Sequence, residues 1–303
     1  MREARLSAEP TVYRHYTKAE LDRNFDQRGW ARNAEEVIAR YVARSRATRA
    51  RLDHRRNVRY GPSADETLDI FYAPRSPAPV QVFVHGGAWR HFTKDDYSFV
   101  ADSFVPAGIH TVVLSFANLP TVRLPDMLAQ VRRGFAWVCR HAESFGGDPS
   151  RVYACAHSSG AHLTALALAA DPAAQGLDDG CVQAATLLSG PYDMEPVMLS
   201  ARSAYVRLTA YEVAALSPLA HADAIRCPIV IASADGDTDE FKRQSDAFAA
   251  ALGRAGRLAG RIVLTGMNHF EGMEAFGDPD GPLTAAILNQ MGVARPPAAG
   301  YAV

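Results

Sequence analysis

From about position 56 onward, β-prone apolar runs alternate with helical patterns. Val58 to Tyr60 and Leu68 to Tyr72 flank the turn signal Gly61-Pro62-Ser63, which predicts a hairpin at a sheet edge. Further strands are predicted at Pro79–Val84, Thr111–Phe116, Val152–Ala156, Val182–Leu188, Pro228–Ala232 and Arg261–Leu264. Between them, Asp126 to Ser144 places Met127, Leu128, Val131, Phe135, Ala136 and Val138 at helical spacing. Ser159–Ala170, Glu240–Leu252 and Pro282–Met291 read as helices too. Repeated strand–helix alternation means an α/β architecture, with a mostly parallel central sheet and helices on both faces.

Two segments depart from that rhythm. Residues 1–55 form an N-terminal helical extension, whose clearest element is Asn33 to Arg44 with apolar positions at 34, 37, 38, 41 and 42. The main domain then covers 56–303. Within it, residues 191–226 carry Tyr192, Met194, Met198, Tyr205, Tyr211 and Pro218 without a strand–helix pattern, and are expected to form a small lid insertion over the strand ends.

Composition narrows the partner classes. The 303 residues are 48% hydrophobic and 21% charged, with a formal net charge of −1. No global field draws such a chain to nucleic acid or to a membrane surface. No apolar run approaches the ~18 residues needed to span a bilayer. The arginines Arg44, Arg46, Arg49, Arg51, Arg55 and Arg56 lack interleaved aromatic residues on which bases could stack, so they read as a solvated helix face. The expected partner is a small-molecule substrate, with a homodimer left open. The charged start Met1-Arg2-Glu3-Ala4-Arg5 lacks an apolar signal core and points to the cytoplasm. Cys139, Cys155, Cys181 and Cys227 lie far apart, without CxxC spacing, and are expected as free thiols in a reducing compartment. No histidine pair has zinc-ligand spacing such as HExxH, and neither a metal nor a cofactor is expected.

The chemistry concentrates where strands end, since ligands in open α/β sheets sit outside the carboxyl ends of the strands. The run Ala156-His157-Ser158-Ser159-Gly160 joins a strand directly to a helix. Such a turn pushes its central residue into strained backbone angles and its side chain outward, the arrangement of a nucleophile elbow. After Pro79–Val84 comes His85-Gly86-Gly87, whose backbone amides can hold a developing oxyanion together with the Ser159 amide. After Pro228–Ala232 comes an acidic turn holding Asp235 and Asp237, and after Arg261–Leu264 comes His269. Nucleophile, acid and base thus follow in the chain order Ser, acid, His. A serine hydroxyl is a weak nucleophile until an imidazole accepts its proton, and a carboxylate orients that imidazole. His85 is expected to be structural, His157 to line the pocket, and the remaining histidines to be satisfied polar positions.

Through these residues the chain resembles the α/β-hydrolase superfamily, and within it the kynurenine formamidase group and its esterase relatives. The segments that carry the resemblance are His85-Gly86-Gly87-Ala88-Trp89, Phe145 to Pro149, Ala156 to Leu163, Asp237 to Ser245, Asn268-His269-Phe270 and the leader Leu21 to Arg28. The resemblance implies an α/β-hydrolase fold with Ser158 as nucleophile, His269 as base and Asp237, not Asp235, as acid. It implies an oxyanion hole of Gly86, Gly87 and Ser159, and an aromatic substrate near Trp89. Ala156 stands where the elbow usually has Gly, and Phe116-Ala117-Asn118-Leu119-Pro120 replaces a Tyr-x-Leu-x-Pro segment. The implied activity is that of a serine hydrolase cleaving the N-formyl amide of an aromatic amine such as N-formylkynurenine. A carboxylesterase acting on small acyl or aryl esters is the alternative. A superfamily member that has lost catalysis and serves for binding is disfavoured by the intact Ser158, Asp237 and His269.

Overall fold

The computed structural model describes residues 9–169 and 180–295; Met1–Arg5 and Ala170, named above, lie outside the described residues. The described chain opens with an antiparallel ribbon, β1 (Thr11–Tyr13) and β2 (Tyr16–Thr17), then α1 (Lys18–Phe25), α2 (Gln27–Trp30) and α3 (Ala34–Arg51). The sheet region follows as β3 (His54–Arg59), β4 (Thr67–Phe71), β5 (Ala78–Val84), α4 (Ala101–Phe104), β6 (His110–Leu114), α5 (Leu124–His141), β7 (Gly147–His157), α6 (Ser159–Ala169) and β8 (Val182–Leu188). After α7 (Met194–Leu199), α8 (Ser203–Val206) and α9 (Ala210–Ala215) come β9 (Ile229–Ala234), α10 (Asp239–Arg254), β10 (Leu258–Leu264), α11 (His269–Glu274) and α12 (Pro282–Gln290).

Eight strands form one sheet in the order β10-β9-β8-β7-β5-β6-β4-β3. Only β4 runs against its neighbours, pairing antiparallel with both β3 and β6. β3 and β4 are the predicted edge hairpin, with β3 beginning at His54, inside the segment read as a helical extension. The period of two distributes each strand between two cores. Val80, Val82 and Val84 of β5 face the layer of α5, α6 and α10, while Phe83 faces the layer of α3, α11 and α12.

The periodicity reading missed the ribbon and the short helices. α1 is mostly polar, but the sequence does hold its start signal: Thr17 caps it and Glu20 reciprocates, a capping box. Of the α3 arginines read as a solvated face, Arg46 and Arg51 are exposed, while Arg44 and Arg49 are half-buried. Arg40 pairs with Glu274 at 2.8 Å, Arg44 donates to the Gly277 carbonyl and lies over the Phe99 ring, and Arg51 pairs with Asp102 at 2.7 Å. Their charge binds the extension to the sheet domain. The insertion 191–226 is three short helices and a 3₁₀ turn, Pro218–Ala224, packed beside α1, α6 and α10. Among the described residues no helix is long and apolar enough to cross a membrane.

The cysteine expectation needs correction. Cys139, near the end of α5, is bonded to Cys181 at the entry to β8, with Cα atoms 6.1 Å apart; Cys155 and Cys227 are free. Their 42-residue separation hid the pair, because α5 and β7 return the chain to its own flank. Closing a loop of that length restricts the unfolded chain by up to about 4 kcal/mol in the chain-entropy model. Replacing Cys139 and Cys181 by Ser should therefore lower the melting temperature by several degrees. Melting of both proteins with and without reductant checks this: reductant should affect only the unsubstituted chain, and equal melting curves would contradict the bond's contribution.

Candidate active site

β7 turns into α6 at Ser158, which holds φ of +54°. Non-glycine residues rarely adopt this left-handed region, and they persist there only when neighbours enforce it. Here the Ser158 amide donates to the Leu188 carbonyl at 2.9 Å, and its own carbonyl accepts from Ala161 and His162 in the first turn of α6. Gly160 lets α6 approach the end of β5: a Cβ there would lie 2.3 Å from the Val84 carbonyl oxygen and 2.4 Å from that of His85. Ala156, where the elbow usually has Gly, buries its methyl in the core.

The chain's three remote loops converge on this turn. His269 Nε2 lies 2.9 Å from Ser158 Oγ, and His269 Nδ1 lies 2.7 Å from Asp237 Oδ1. All three side chains are buried. His269 is the first residue of α11, whose cap Asn268 accepts from the Phe270 and Glu271 amides. Behind it, Tyr41 donates to the Phe270 carbonyl and Asn33 bonds both Asn268 and Glu271. The second carboxylate oxygen of Asp237 accepts from Ser189 Oγ at 2.6 Å and from the Ala234 amide at 3.0 Å. Asp235 does different work: it is exposed, and its carboxylate accepts from the Gly266 amide at 2.9 Å, bracing the turn that precedes His269.

The glycine loop lies against the serine. A Cβ on Gly86 would be 2.9 Å from Ser158 Cβ, so the Gly86–Gly87 backbone borders the reacting oxygen. Gly87 has φ of +126°, and a Cβ there would sit 2.1 Å from the His91 carbonyl oxygen. Ala88, Trp89 and Phe92 also have positive φ. This conformation is pinned from outside: Trp89 N donates to Ser159 Oγ at 3.1 Å, Leu119 N donates to the Trp89 carbonyl at 2.8 Å, and Asn118 Nδ2 donates to the Phe92 carbonyl at 2.9 Å. The departing Phe116–Pro120 segment thus serves as a buttress for the loop. Ser159 begins α6, and the first amides of a helix have no intrahelical acceptor, which leaves them for a ligand.

A cavity of about 550 Å³ opens onto Ser158, His269 and His157. Its roof has two sources. Phe25 and Gln27 come from the N-terminal segment, and Arg202 and Tyr205 from the 191–226 insertion. Only the 201–205 stretch of that insertion borders the cavity, so the lid expected from residues 191–226 is shared with α1 and α2. Trp89 does not line the cavity. It is buried behind the loop, with Nε1 donating to His162 Nδ1 at 3.2 Å, and the expected aromatic contact near it has no place there. Phe25, Tyr41, Phe92, Tyr97, Tyr205 and Phe270 are the aromatic residues that do border the space.

Three other histidines surround the site as neutral groups. Burial pushes His85 and His162 down to about 4 and His157 well below its ordinary value, the last reinforced by the nearby His269. His85 is stacked between Phe116 and Tyr97, with ring centroids 4.4 and 5.6 Å away, and supports the loop. His157 Nε2 donates to the His269 carbonyl at 3.0 Å. Several contributors carried no signal of role in the sequence. Ser189 could have been found as another residue directly following a strand's carboxyl end. Asn24 and Gln27 sit in the leader motif, yet nothing local tells that they meet the acid loop: Thr238 Oγ1 donates to the Asn24 carbonyl, Gln27 Nε2 donates to Thr238 Oγ1, and Asn24 Oδ1 accepts from the Glu240 amide.

The chain is similar to known hydrolases. The BD-FAE family model matches residues 68–252. The kynurenine formamidase of Salmo salar is 30% identical over 298 residues, 92% of this chain and 98% of the relative. Esterase LipQ of Mycobacterium tuberculosis is 32% identical over 222 residues, 66% of this chain and 53% of the relative. A crystal structure from Silicibacter sp. TM1040 superposes with a TM-score of 0.78 at 23% identity, covering 88% of this chain and 98% of that one.

The Gly160 contacts make a direct prediction. Gly160→Ala drives a methyl into two backbone carbonyls, an overpacking that costs about 1–3 kcal/mol and displaces Ser158. Chemical denaturation should show that loss, and hydrolysis of phenyl acetate should fall at least about tenfold; a variant equal to the parent in both would refute the tight packing.

Proposed function

From its place in the BD-FAE family, to which this chain belongs, and from its homology to the kynurenine formamidases, we propose that it is a serine hydrolase that cleaves the N-formyl amide of an aromatic amine such as N-formylkynurenine. The observation that carries the reading is the buried hydrogen-bonded chain Asp237–His269–Ser158 at the floor of a substrate-sized cavity.

Ser158 Oγ attacks the formyl carbon while its proton passes to His269 Nε2. The carbonyl oxygen gains charge and is held by backbone amides of Gly86, Gly87 and Ser159. Asp237 holds the imidazole with Nδ1–H toward the carboxylate and favours the imidazolium that forms. The C–N bond then breaks as His269 returns its proton to the departing nitrogen, leaving a formyl ester on Ser158. Water, deprotonated by the same imidazole, attacks that ester; the bond to Ser158 Oγ then breaks as His269 returns the proton to Oγ, freeing formate and restoring the serine. The acid, the imidazole and the amides are in position before substrate arrives, so little reorganisation opposes the reaction.

Ester cleavage would use the same groups, and the likeness to Esterase LipQ favours it as the second reading. The two differ in leaving group and pocket fit. Ser158→Ala should retain the fold and lose at least about 10³-fold in kcat. Formate release from N-formylkynurenine, set against phenyl acetate hydrolysis, decides the substrate class. A specificity constant for the ester that far exceeds that for the formamide would overturn the formamidase reading. Undiminished turnover by Ser158→Ala would overturn the mechanism itself.

A further inference from the structure

Among the described arginines that line the cavity, Arg202 is the buried one, with 8% of its surface exposed; Arg23, Arg28 and Arg90 border it from exposed positions. Arginine is almost never so deeply buried without an anionic partner. Yet its hydrogen bonds go to a neutral group: Nε and Nη2 both donate to the Phe25 carbonyl, at 2.9 and 2.6 Å. Nη1 is shielded from solvent and has no hydrogen-bond partner among the described residues. The nearby carboxylates are committed elsewhere. Asp22 pairs with Lys18 and accepts from the Ala201 amide, and Asp26 accepts from the Gly29 amide. The faces of Phe25, Trp89 and Phe241 lie 5.4 to 5.8 Å from the guanidinium carbon and offset part of the cost of burial, but they bring no formal charge.

We propose that Arg202 is a specificity-determining residue that binds a carboxylate on the leaving-group side of the substrate, so that the cavity selects acidic aromatic formamides over neutral ones. The proposal rests on the hydrolase reading above and deepens it. Both existing bonds of the guanidinium converge on one oxygen, so the fork can pivot about the Phe25 carbonyl and present Nη1 to the cavity. A carboxylate there would form a charge-assisted bond in a place from which water is largely excluded, where such bonds are strong. It would also supply the missing counter-charge. An N-formylkynurenine-like molecule carries both groups: its formyl amide and the chain bearing its carboxylate stand on adjacent positions of one aromatic ring, so the carboxylate belongs to the leaving group.

The test compares N-formylkynurenine with its decarboxylated analogue in the parent chain, Arg202→Lys and Arg202→Met. A hydrogen bond to a charged group corresponds to roughly 10- to 100-fold in binding. The parent should prefer the acid by about that factor, mainly through KM. The preference should shrink in Arg202→Lys and vanish in Arg202→Met; because the readout is a ratio, any general loss of activity cancels. Calorimetric binding of 4-phenylbutyrate and of its amide to the parent chain adds a measurement that needs neither turnover nor a variant. The acid should bind at least about tenfold tighter at pH 8. Equal binding of acid and amide, or a preference retained by Arg202→Met, overturns the proposal. If neither formamide is cleaved while phenyl acetate is, the formamidase reading fails, and the calorimetric comparison still decides the role of Arg202.

Discussion

A carboxylate with almost no contact with water organises the site. Burying Asp237 is costly unless both its oxygens are bonded, and here the imidazole holds one while the Ser189 hydroxyl and the Ala234 amide hold the other. Those partners come from the ends of three strands' worth of sequence: β8, β9 and the turn after β10. The carboxylate therefore fixes the relative placement of three loops as well as the tautomer of His269. Ser158 sits at the far end of the same chain of bonds, and its own strained turn is fixed by the neighbouring strand end, at Leu188. The chemistry and the packing of strand ends are one arrangement.

Around that chain the protein keeps its other imidazoles uncharged. His85, His157 and His162 are buried beside the reacting groups, and desolvation holds each neutral near pH 7. They stack, brace the glycine loop and accept or donate single bonds to neutral atoms. A second imidazolium next to His269 would repel any positive charge on that ring, and burial of the three removes it. Among the described residues, His269 is the histidine bonded to both a hydroxyl and a carboxylate.

Much of this was legible before any coordinates. Strand-to-helix alternation carries the sheet because each strand's two faces meet different layers, and the residues just past the strand ends carry the chemistry because the fold collects them on one edge. Asp237 and Asp235 were not separable by position alone; family likeness favoured Asp237, and the structure places Asp235 two residues away on an unrelated amide. What stayed hidden is non-local. The Cys139–Cys181 bond depends on how α5 and β7 fold back. The burial of Trp89 depends on His162 from another element, and the roof role of Asn24, Gln27 and Arg202 depends on contacts across about 180 to 210 residues of chain. Periodicity reports which face of an element is buried; it says nothing of what arrives from elsewhere to cover it.

The double use of the N-terminal segment has a mechanical result. Phe25 and Gln27 border the cavity, while Asn24 and Gln27 also hold Thr238 and Glu240, the residues directly after the acid turn. Ceiling and acid turn are thus joined by the same three bonds. A displacement of α1 would therefore pull, through Asn24, on the loop that carries Asp237. The N-terminal segment is thus at once a wall of the cavity and a tether of the loop that carries Asp237.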